Sequence, residues 1–182
     1  ALHKALRAAV EPSFNAVTVD SDTSTSDTVA AFASGADTLE ARRAIAAAVE
    51  AAHEKNIVHR HLKPANVMID GRGRVRIMDF GLACLAGVPR DEGTVVGTPY
   101  YMAPEQIRGE PLDGRSDLFS LGVVMYELLL GRRPFKGENI TSLIYSILNN
   151  EPQKPSNINP QVPLLFDRII DRALKKNPVE RY

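Results

Sequence analysis

The sequence predicts a mainly helical α+β fold that contains one small β-hairpin. Apolar side chains recur with a helical period through much of the chain, whereas two short alternating segments flank the turn DGRG at residues 70–73. The 182 residues, of which 44% are apolar and 24% charged, can bury one core of domain size. We find no internal repeat.

The first predicted helix covers residues 37–55, DTLEARRAIAAAVEAAHEK. Asp37 can cap its N-terminus, and Glu40 three positions later completes a capping box. Ile45 and Val49 fall on one apolar face, which we expect to pack against the core.

Short strands are predicted after this helix. Ile57 and Val58 are β-branched, and the alternating segments Val67–Ile69 and Val75–Met78 lie on either side of the DGRG turn. These two segments therefore form the predicted hairpin. From Gly81 to Gly97 the sequence has turn residues but no periodicity, so this range is expected to be a loop.

The longest predicted helix is Ser116–Leu130, with Ser116 as its N-cap and Gly131 at its end. It is apolar on nearly every face, which indicates a helix that is buried all round. Shorter helical segments are predicted on either side of it, at Pro104–Ile107, Asn139–Leu148 and Pro163–Leu174.

Composition and charge exclude several classes of partner. The 22 basic and 22 acidic side chains cancel, so no net charge attracts nucleic acid or an anionic membrane. The most apolar run, Leu118–Gly131, is too short to span a bilayer and contains Glu127. Cys84 is the single cysteine and cannot form an internal disulfide, which favours a reducing, cytoplasmic location.

Four short motifs carry the chemical information, and their order is specific. A lone DFG or APE tripeptide means little, but the full set with these gaps is far from a chance match. The Asn and Asp side chains of the first two motifs are hard oxygen ligands of the kind that Mg²⁺ prefers. The motifs are HRHLKPAN at His59–Asn66, DFG at Asp79–Gly81, APE at Ala103–Glu105 and SDLFSLG at Ser116–Gly122.

With these motifs, the chain from about Asp37 to Tyr182 resembles the C-terminal lobe of a eukaryotic-type serine/threonine protein kinase, in the bacterial (Hanks-type) branch. The resemblance implies a kinase-like C-lobe fold. It also implies transfer of the γ-phosphate of Mg-ATP to a serine or threonine hydroxyl of a protein. ATP, Mg²⁺ and a protein substrate are therefore the implied cofactors and partners, without nucleic acid or membrane.

The resemblance also assigns a candidate site. Asn66 and Asp79 would hold Mg²⁺, and Lys63 would lie over the γ-phosphate, where a lysine marks serine/threonine specificity. Met68 would contact the nucleotide. His61 occupies the position at which the family carries the catalytic aspartate that receives the substrate proton.

His61 is the main departure from the family pattern. A neutral imidazole can accept a proton, since its unperturbed pKa is about 6.5. The ring is bulkier than a carboxylate and has no negative charge to orient the hydroxyl, and losing a general base costs roughly 10²–10⁴-fold in rate. Two interpretations stay open: a working histidine base, or a position that records inactivation or a single-base sequence error.

Other residues of the motifs are implied to be structural. Asp117 would accept N–H bonds from the catalytic loop, because a buried carboxylate needs such partners. Glu105 would form a buried ion pair with Arg181. His59 would stack with Phe80 in the apolar spine that joins the two lobes of the family.

Residues 1–36 differ in character from the rest and are predicted to be a separate segment, with the kinase C-lobe at residues 37–182. Before Asn56 there is no G-x-G-x-x-G and no V-A-I-K, so the family's N-lobe is expected to be missing. The stretch EPSFNAVTVDSDTSTSDTVAAFASGA resembles the ornithine acetyltransferase/N-acetylglutamate synthase family, without the motif that carries its threonine nucleophile. The abrupt ends indicate a fragment that is truncated at its C-terminus.

Three hypotheses for function follow. The first is a serine/threonine kinase fragment that is inactive alone, because the N-lobe and the aspartate base are missing. The second is a pseudokinase-like protein-binding module that docks partners through the helix Asn139–Leu148 and the loop before it. The third is an ornithine acetyltransferase fragment, which depends on residues 1–36 alone.

Overall fold

The structure, a computed structural model, confirms a mainly helical fold with few strands. It describes residues 45, 47, 49–69, 75–79, 84, 85 and 99–182. Helix α1 comprises the helical residues between positions 45 and 53. The later helices are α2 (Pro104–Arg108), α3 (Gly114–Leu130), α4 (Ile140–Asn149), α5 (Pro155–Ile158) and α6 (Leu164–Ala173). The strands are β1 (Ile57–Val58), β2 (Val67–Ile69), β3 (Val75–Ile77) and β4 (Cys84–Leu85).

Helix α3 lies at the centre of the core. Its side chains Phe119, Leu121 and Val123 are fully buried, as predicted for a helix that is apolar on nearly every face. Helix α6 packs along it, and Ile169 and Ile170 of α6 are buried in the same cluster. The core thus provides a fixed platform for the loops at the N-terminal end of α3.

The predictions for the two ends of α3 had different outcomes. Gly131 ends the helix as predicted: its φ of 63° is a conformation that glycine adopts at little cost, and its N–H donates to the Glu127 carbonyl at 2.8 Å. The predicted N-cap, Ser116, is wrong. Asp113 caps the helix, because its carboxylate accepts the Arg115 N–H at 2.8 Å, and Ser116 is buried within the first turn.

The predicted hairpin is confirmed. Strands β2 and β3 are antiparallel, with Val67 opposite Ile77 and Ile69 opposite Val75. The DGRG turn lies outside the described residues. The loop expected from Gly81 to Gly97 is wrong in part, because β4 falls within it and pairs with β1 in an antiparallel ladder. A two-residue strand has no periodicity of its own, and its partner lies far away in sequence.

Helices α2, α4 and α6 agree with the sequence-based expectations to within one residue at each end, whereas α5 was not predicted. Ile45 and Val49 of α1 are buried, whereas the proposed cap Asp37 lies outside the described residues. Helix α4 begins after Asn139, whose side chain accepts the Ser142 N–H at 2.9 Å. None of the helices in the described part of the chain has the length and apolar character needed to cross a bilayer.

Candidate functional site

The loop that joins β1 to β2 is held by a buried carboxylate on α3. Asp117, only 1% exposed, accepts the His59 N–H at 2.7 Å through Oδ2 and the Arg60 N–H at 2.8 Å through Oδ1. These bonds satisfy a carboxylate that would otherwise be costly to bury. The prediction that Asp117 holds the backbone of this loop is confirmed.

A third group on Asp117 was missed from the sequence. His53, at the end of α1, places its Nε2 2.9 Å from Asp117 Oδ2. Gly114, the first residue of α3, allows this approach, because a Cβ there would lie 2.8 Å from His53 Nδ1. A histidine at the last residue of an amphipathic helix carries no sequence signal of its own, since only the packing of α1 on α3 brings it to Asp117.

His59 connects the loop to the end of β3. Its ring is buried, and Nε2 donates to the Met78 carbonyl at 2.9 Å. Its Nδ1 accepts the His61 N–H at 3.3 Å. Because a carbonyl can only accept and an amide N–H can only donate, these two contacts correspond to the tautomer that carries its proton on Nε2. The predicted stacking partner, Phe80, lies outside the described residues.

Asn66 is buried and has a fixed side-chain orientation. Its Nδ2 donates to the His61 carbonyl at 2.7 Å, which identifies the atom at that position as nitrogen rather than oxygen. Its own carbonyl accepts the Met78 N–H at 2.7 Å, and its N–H donates to the Lys63 carbonyl at 3.0 Å. The Oδ1 atom is therefore the side-chain atom of Asn66 that is left to bind a cation.

Asp79 lies two residues after the end of β3, and its side chain is about half exposed. Its φ of 62° lies in the left-handed region, which is uncommon for a residue other than glycine and more tolerated by Asp and Asn. Oδ2 of Asp79 lies 3.8 Å from Nδ1 of His61. Met78, the residue before Asp79, donates its backbone N–H to the Asn66 carbonyl. This bond holds the backbone at Asp79 close to the backbone at Asn66.

The structure therefore brings three of the predicted site residues together. His61 touches the other two: its carbonyl binds the Asn66 amide, and its ring lies beside the Asp79 carboxylate. Lys63 lies in the same loop and is partly buried. Met68 lies in β2, and its side chain is outside what the structure describes. No contact tests the roles assigned to these residues, which stay predictions.

The donor set suits a divalent cation. Magnesium prefers hard oxygen ligands and keeps several waters, so one carboxylate and one amide oxygen are a plausible protein contribution. Asp79 offers a carboxylate that water and ligand can reach, and Asn66 offers Oδ1. His61 differs from these two, because its ring supplies nitrogen where the family pattern has a carboxylate.

A second polar cluster lies beside the APE motif. Tyr101 donates its hydroxyl hydrogen to Glu127 Oε2 at 2.6 Å, and Arg133 Nε donates to Glu127 Oε1 at 3.2 Å. The Arg133 guanidinium also lies 4.1 Å from the centre of the Tyr100 ring. Burial, together with the bond to Glu127, raises the pKa of Tyr101 to about 12.

The predicted ion pair that closes this region is confirmed. Arg181 Nη1 lies 2.6 Å from Glu105 Oε1, and Nη2 lies 2.9 Å from Oε2, with both residues 2% exposed. Arg181 also donates to backbone carbonyls of Lys175, Lys176 and Arg115. This bidentate pair fixes α2, and with it the APE motif, to the C-terminal end of the described fold.

Comparison with known proteins gives consistent matches. The sequence model of the protein kinase domain matches residues 23–182. A probable serine/threonine-protein kinase of Streptomyces coelicolor is 43% identical over 149 residues, which cover 80% of this chain and 22% of that protein. The serine/threonine-protein kinase PksC of the same organism is 44% identical over 142 residues, covering 76% of this chain and 26% of that protein.

A mycobacterial relative agrees with these two. The serine/threonine-protein kinase PknB of Mycolicibacterium smegmatis is 41% identical over 139 residues, covering 74% of this chain and 22% of that protein. The chain spans about a quarter or less of the length of these curated relatives. The motif order, the helical fold and these matches agree: the chain belongs to the protein kinase family, and the three relatives named above are bacterial serine/threonine-protein kinases.

Proposed function

We propose that this chain is the helical C-lobe of a serine/threonine protein kinase whose parent protein transfers the γ-phosphate of ATP to a protein hydroxyl. The observation that carries the proposal is the cluster of His61, Asn66 and Asp79 at the end of the β2–β3 hairpin. We also propose a cytoplasmic location, which the single cysteine supports.

Asp79 and Asn66 are the residues that would hold Mg²⁺. When bound, the ion offsets the negative charge that spreads over the transferring phosphoryl group. The bond to the His61 carbonyl holds the Asn66 side chain in one orientation, which would lower the cost of ordering it around a cation. Asp79 is held next to it by the backbone pairing of Met78 with Asn66.

The rest of the loop positions the substrate side of the site. Asp117 fixes the backbone at His59 and Arg60, which are the two residues before His61. Lys63 is separated from His61 by one residue, and its ammonium would stabilise charge on the transferred phosphoryl group, as the resemblance implies. Met68 is proposed to contact the nucleotide.

His61 makes this chain a poor catalyst in the proposed role. In the family an aspartate at this position receives the proton of the substrate hydroxyl. A neutral imidazole does not attract the hydroxyl hydrogen as a carboxylate does, and losing the base costs roughly 10²–10⁴-fold in rate. The sequence before Asn56 also lacks a glycine-rich phosphate motif. We therefore propose that this chain alone has no measurable phosphotransfer activity.

Thermal stability in the presence of nucleotide tests the site. If Mg-ATP binds with a Kd of about 1 mM, a concentration of about 10 mM stabilises the fold by roughly 1.4 kcal/mol. We expect this stabilisation in the wild-type chain and its loss in Asp79→Ala. The matched control is Asp171→Ala, whose carboxylate pairs with Lys175 at 3.3 Å on the exposed face of α6.

The outcomes are distinct. Equal stabilisation of the wild type and Asp79→Ala would mean that nucleotide, if it binds, does not use this site, and it would contradict the proposal. A phosphotransfer assay with labelled ATP and a generic protein substrate accompanies the measurement. Metal-dependent phosphorylation by the purified wild-type chain would contradict the predicted inactivity while supporting the kinase assignment.

A protein-binding module is the second candidate, and one observation favours it. Helix α4 exposes two large apolar side chains, Ile140 at 66% and Tyr145 at 64%. Such side chains are suited to a protein contact, and docking through α4 does not need ATP. A chain that does not respond to Mg-ATP but binds a partner, with that binding lost in Tyr145→Ser, would favour this candidate.

A further inference from the structure

We propose that the site prefers a divalent transition metal ion over Mg²⁺, and that His61 and Asp79 bind this ion between them. This inference rests on the proposed function in one respect, which is that Asp79 and Asn66 are cation ligands. It concerns His61, which is the residue at which this chain departs from the family.

The distance between the two side chains carries the proposal. Nδ1 of His61 and Oδ2 of Asp79 are 3.8 Å apart, which is too long for a hydrogen bond between them. Two bonds to a zinc-sized ion, each about 2.0–2.2 Å, reach across at most about 4.2 Å, and a tetrahedral pair of ligands lies about 3.4 Å apart. The gap therefore fits one metal ion after a movement of a few tenths of an ångström.

The backbone on both sides of the gap is fixed. Met78, next to Asp79, donates its N–H to the Asn66 carbonyl at 2.7 Å and accepts the His59 ring N–H at 2.9 Å. The His61 N–H in turn donates to the His59 ring. The loop and the end of β3 are thus held together independently of any ion, so little conformational entropy is lost when the ligands close on it.

Asp79 would make the small movement that brings both ligands to the ion. Its side chain is 54% exposed, compared with 16% for His61, so the carboxylate has room to rotate toward the ring. Asn66 Oδ1 is a further oxygen donor of the same loop, because Nδ2 is the amide atom bonded to the His61 carbonyl. Water would complete the coordination on the exposed side.

The ligand types decide the metal. Imidazole nitrogen suits Zn²⁺, Cu²⁺, Ni²⁺ and Fe²⁺, whereas Mg²⁺ takes oxygen ligands and holds its water tightly. In a site with a carboxylate in place of the ring, all protein ligands are oxygen and the preference for transition ions is weaker. The aspartate-to-histidine difference therefore changes the metal specificity of the site as well as its basicity.

Cobalt is the probe, because Co²⁺ follows zinc-like coordination and absorbs visible light when a protein binds it. The tag-free full chain is titrated with Co²⁺ and separately with Mg²⁺, without nucleotide. We expect Co²⁺ to bind at least about tenfold more tightly than Mg²⁺. His61→Ala and Asp79→Ala are each expected to weaken Co²⁺ binding by at least about 10–100-fold, because a direct ligand should matter no less than the outer groups whose loss costs that much.

Two control variants and one swap complete the design. Asp171→Ala removes an exposed carboxylate and His3→Ala removes a different histidine, and both are expected to bind Co²⁺ as the wild type does. His61→Asp supplies an oxygen ligand instead of nitrogen. We expect this variant to lower the ratio of Co²⁺ to Mg²⁺ affinity by about tenfold or more.

A measurement on the wild type avoids dependence on the folding of variants. Paramagnetic Co²⁺ should shift or broaden the side-chain NMR signals of His61 before those of His53. Unchanged Co²⁺ affinity in both alanine variants, or early broadening at His53 instead, would overturn the proposal. Loss of binding in His61→Ala but not in Asp79→Ala would also overturn it, since the two residues would not share an ion.

Failure of this inference and failure of the proposed function are separable. If Co²⁺ binds as described while Mg-ATP never stabilises the chain, the metal preference stands and the kinase role of the site fails. If Mg-ATP stabilises the chain through Asp79 while Co²⁺ shows no dependence on His61, the kinase site stands and the metal preference is wrong.

Discussion

Arg181→Met removes one partner of the buried ion pair that fixes the APE motif. Glu105 would be left 2% exposed without a counter-ion, and three backbone carbonyls would lose the guanidinium that they bind. Removing one partner of a buried pair costs about 3–5 kcal/mol. The additional lost bonds place Arg181→Met at the upper end, at about 5 kcal/mol in the free energy of unfolding.

Glu105→Gln is the milder change at the same pair. The amide oxygen of glutamine can still accept one N–H, and Arg181 keeps its bonds to the carbonyls of Lys175, Lys176 and Arg115. We therefore expect a loss of about 1–3 kcal/mol, the cost of weakening a buried charge-assisted contact. The double variant should lose less than the sum of the two, by about 1–3 kcal/mol.

Urea unfolding followed by circular dichroism measures these differences, provided that the denaturant dependence is the same for each variant. The control is Arg108→Met, which removes an exposed pair with Glu110 at 4.0 Å and should change stability by less than about 0.5 kcal/mol. The reasoning is refuted if Arg181→Met costs no more than Arg108→Met, or if the losses at Glu105 and Arg181 simply add.

Two further predictions concern the loop and the aromatic cluster. Asp117→Asn should cost about 1–3 kcal/mol, since one N–H loses its acceptor. It should also speed hydrogen exchange at the His59 and Arg60 amides relative to α4, and unchanged exchange there would contradict the assigned role. The Tyr101 pKa is raised from 10.0 to about 12, so its contribution to stability is complete below pH 10 and is lost as the pH rises toward 12. Tyr101→Phe should flatten the pH dependence of unfolding across that window, and an identical slope in both proteins would exclude the Glu127-bonded hydroxyl as its source.

Local signals account for the parts of the fold that were predicted correctly. The end of α3 at Gly131 and the start of α4 after Asn139 depend on residues within one helical turn. The hairpin of β2 and β3 follows from two alternating segments that are close in sequence. Such features need no information from distant parts of the chain.

The incorrect predictions have a common physical origin. Asp113 and Ser116 are both good capping residues, and the choice between them depends on which side chain turns back to the helix N–H groups. Strand β4 exists because β1 supplies its hydrogen bonds: Ile57 lies opposite Leu85, 28 residues away, and Val58 lies opposite Cys84, 26 residues away. No local pattern in a two-residue segment records such a distant partner.

In the candidate site, too, the residue types were predicted from the sequence, whereas some contacts between distant residues were not. The residue types of the HRHLKPAN and DFG motifs predicted the candidate site residues, and the structure brings three of them, His61, Asn66 and Asp79, together. The sequence did not predict His53 on Asp117, because that contact forms only when α1 packs against the start of α3. Nor did it predict that the Asn66 amide would be oriented by a backbone carbonyl.

The sequence by itself determined the family, the order of the motifs and the residue types available to the site, because these are properties of the chain read in order. The tertiary structure alone decided the 3.8 Å between the His61 and Asp79 side chains and the contact of His53 with Asp117. Distances of this kind depend on how helices and strands that are distant in sequence pack around one core. A change in that packing would move the side chains without altering a single letter of either motif.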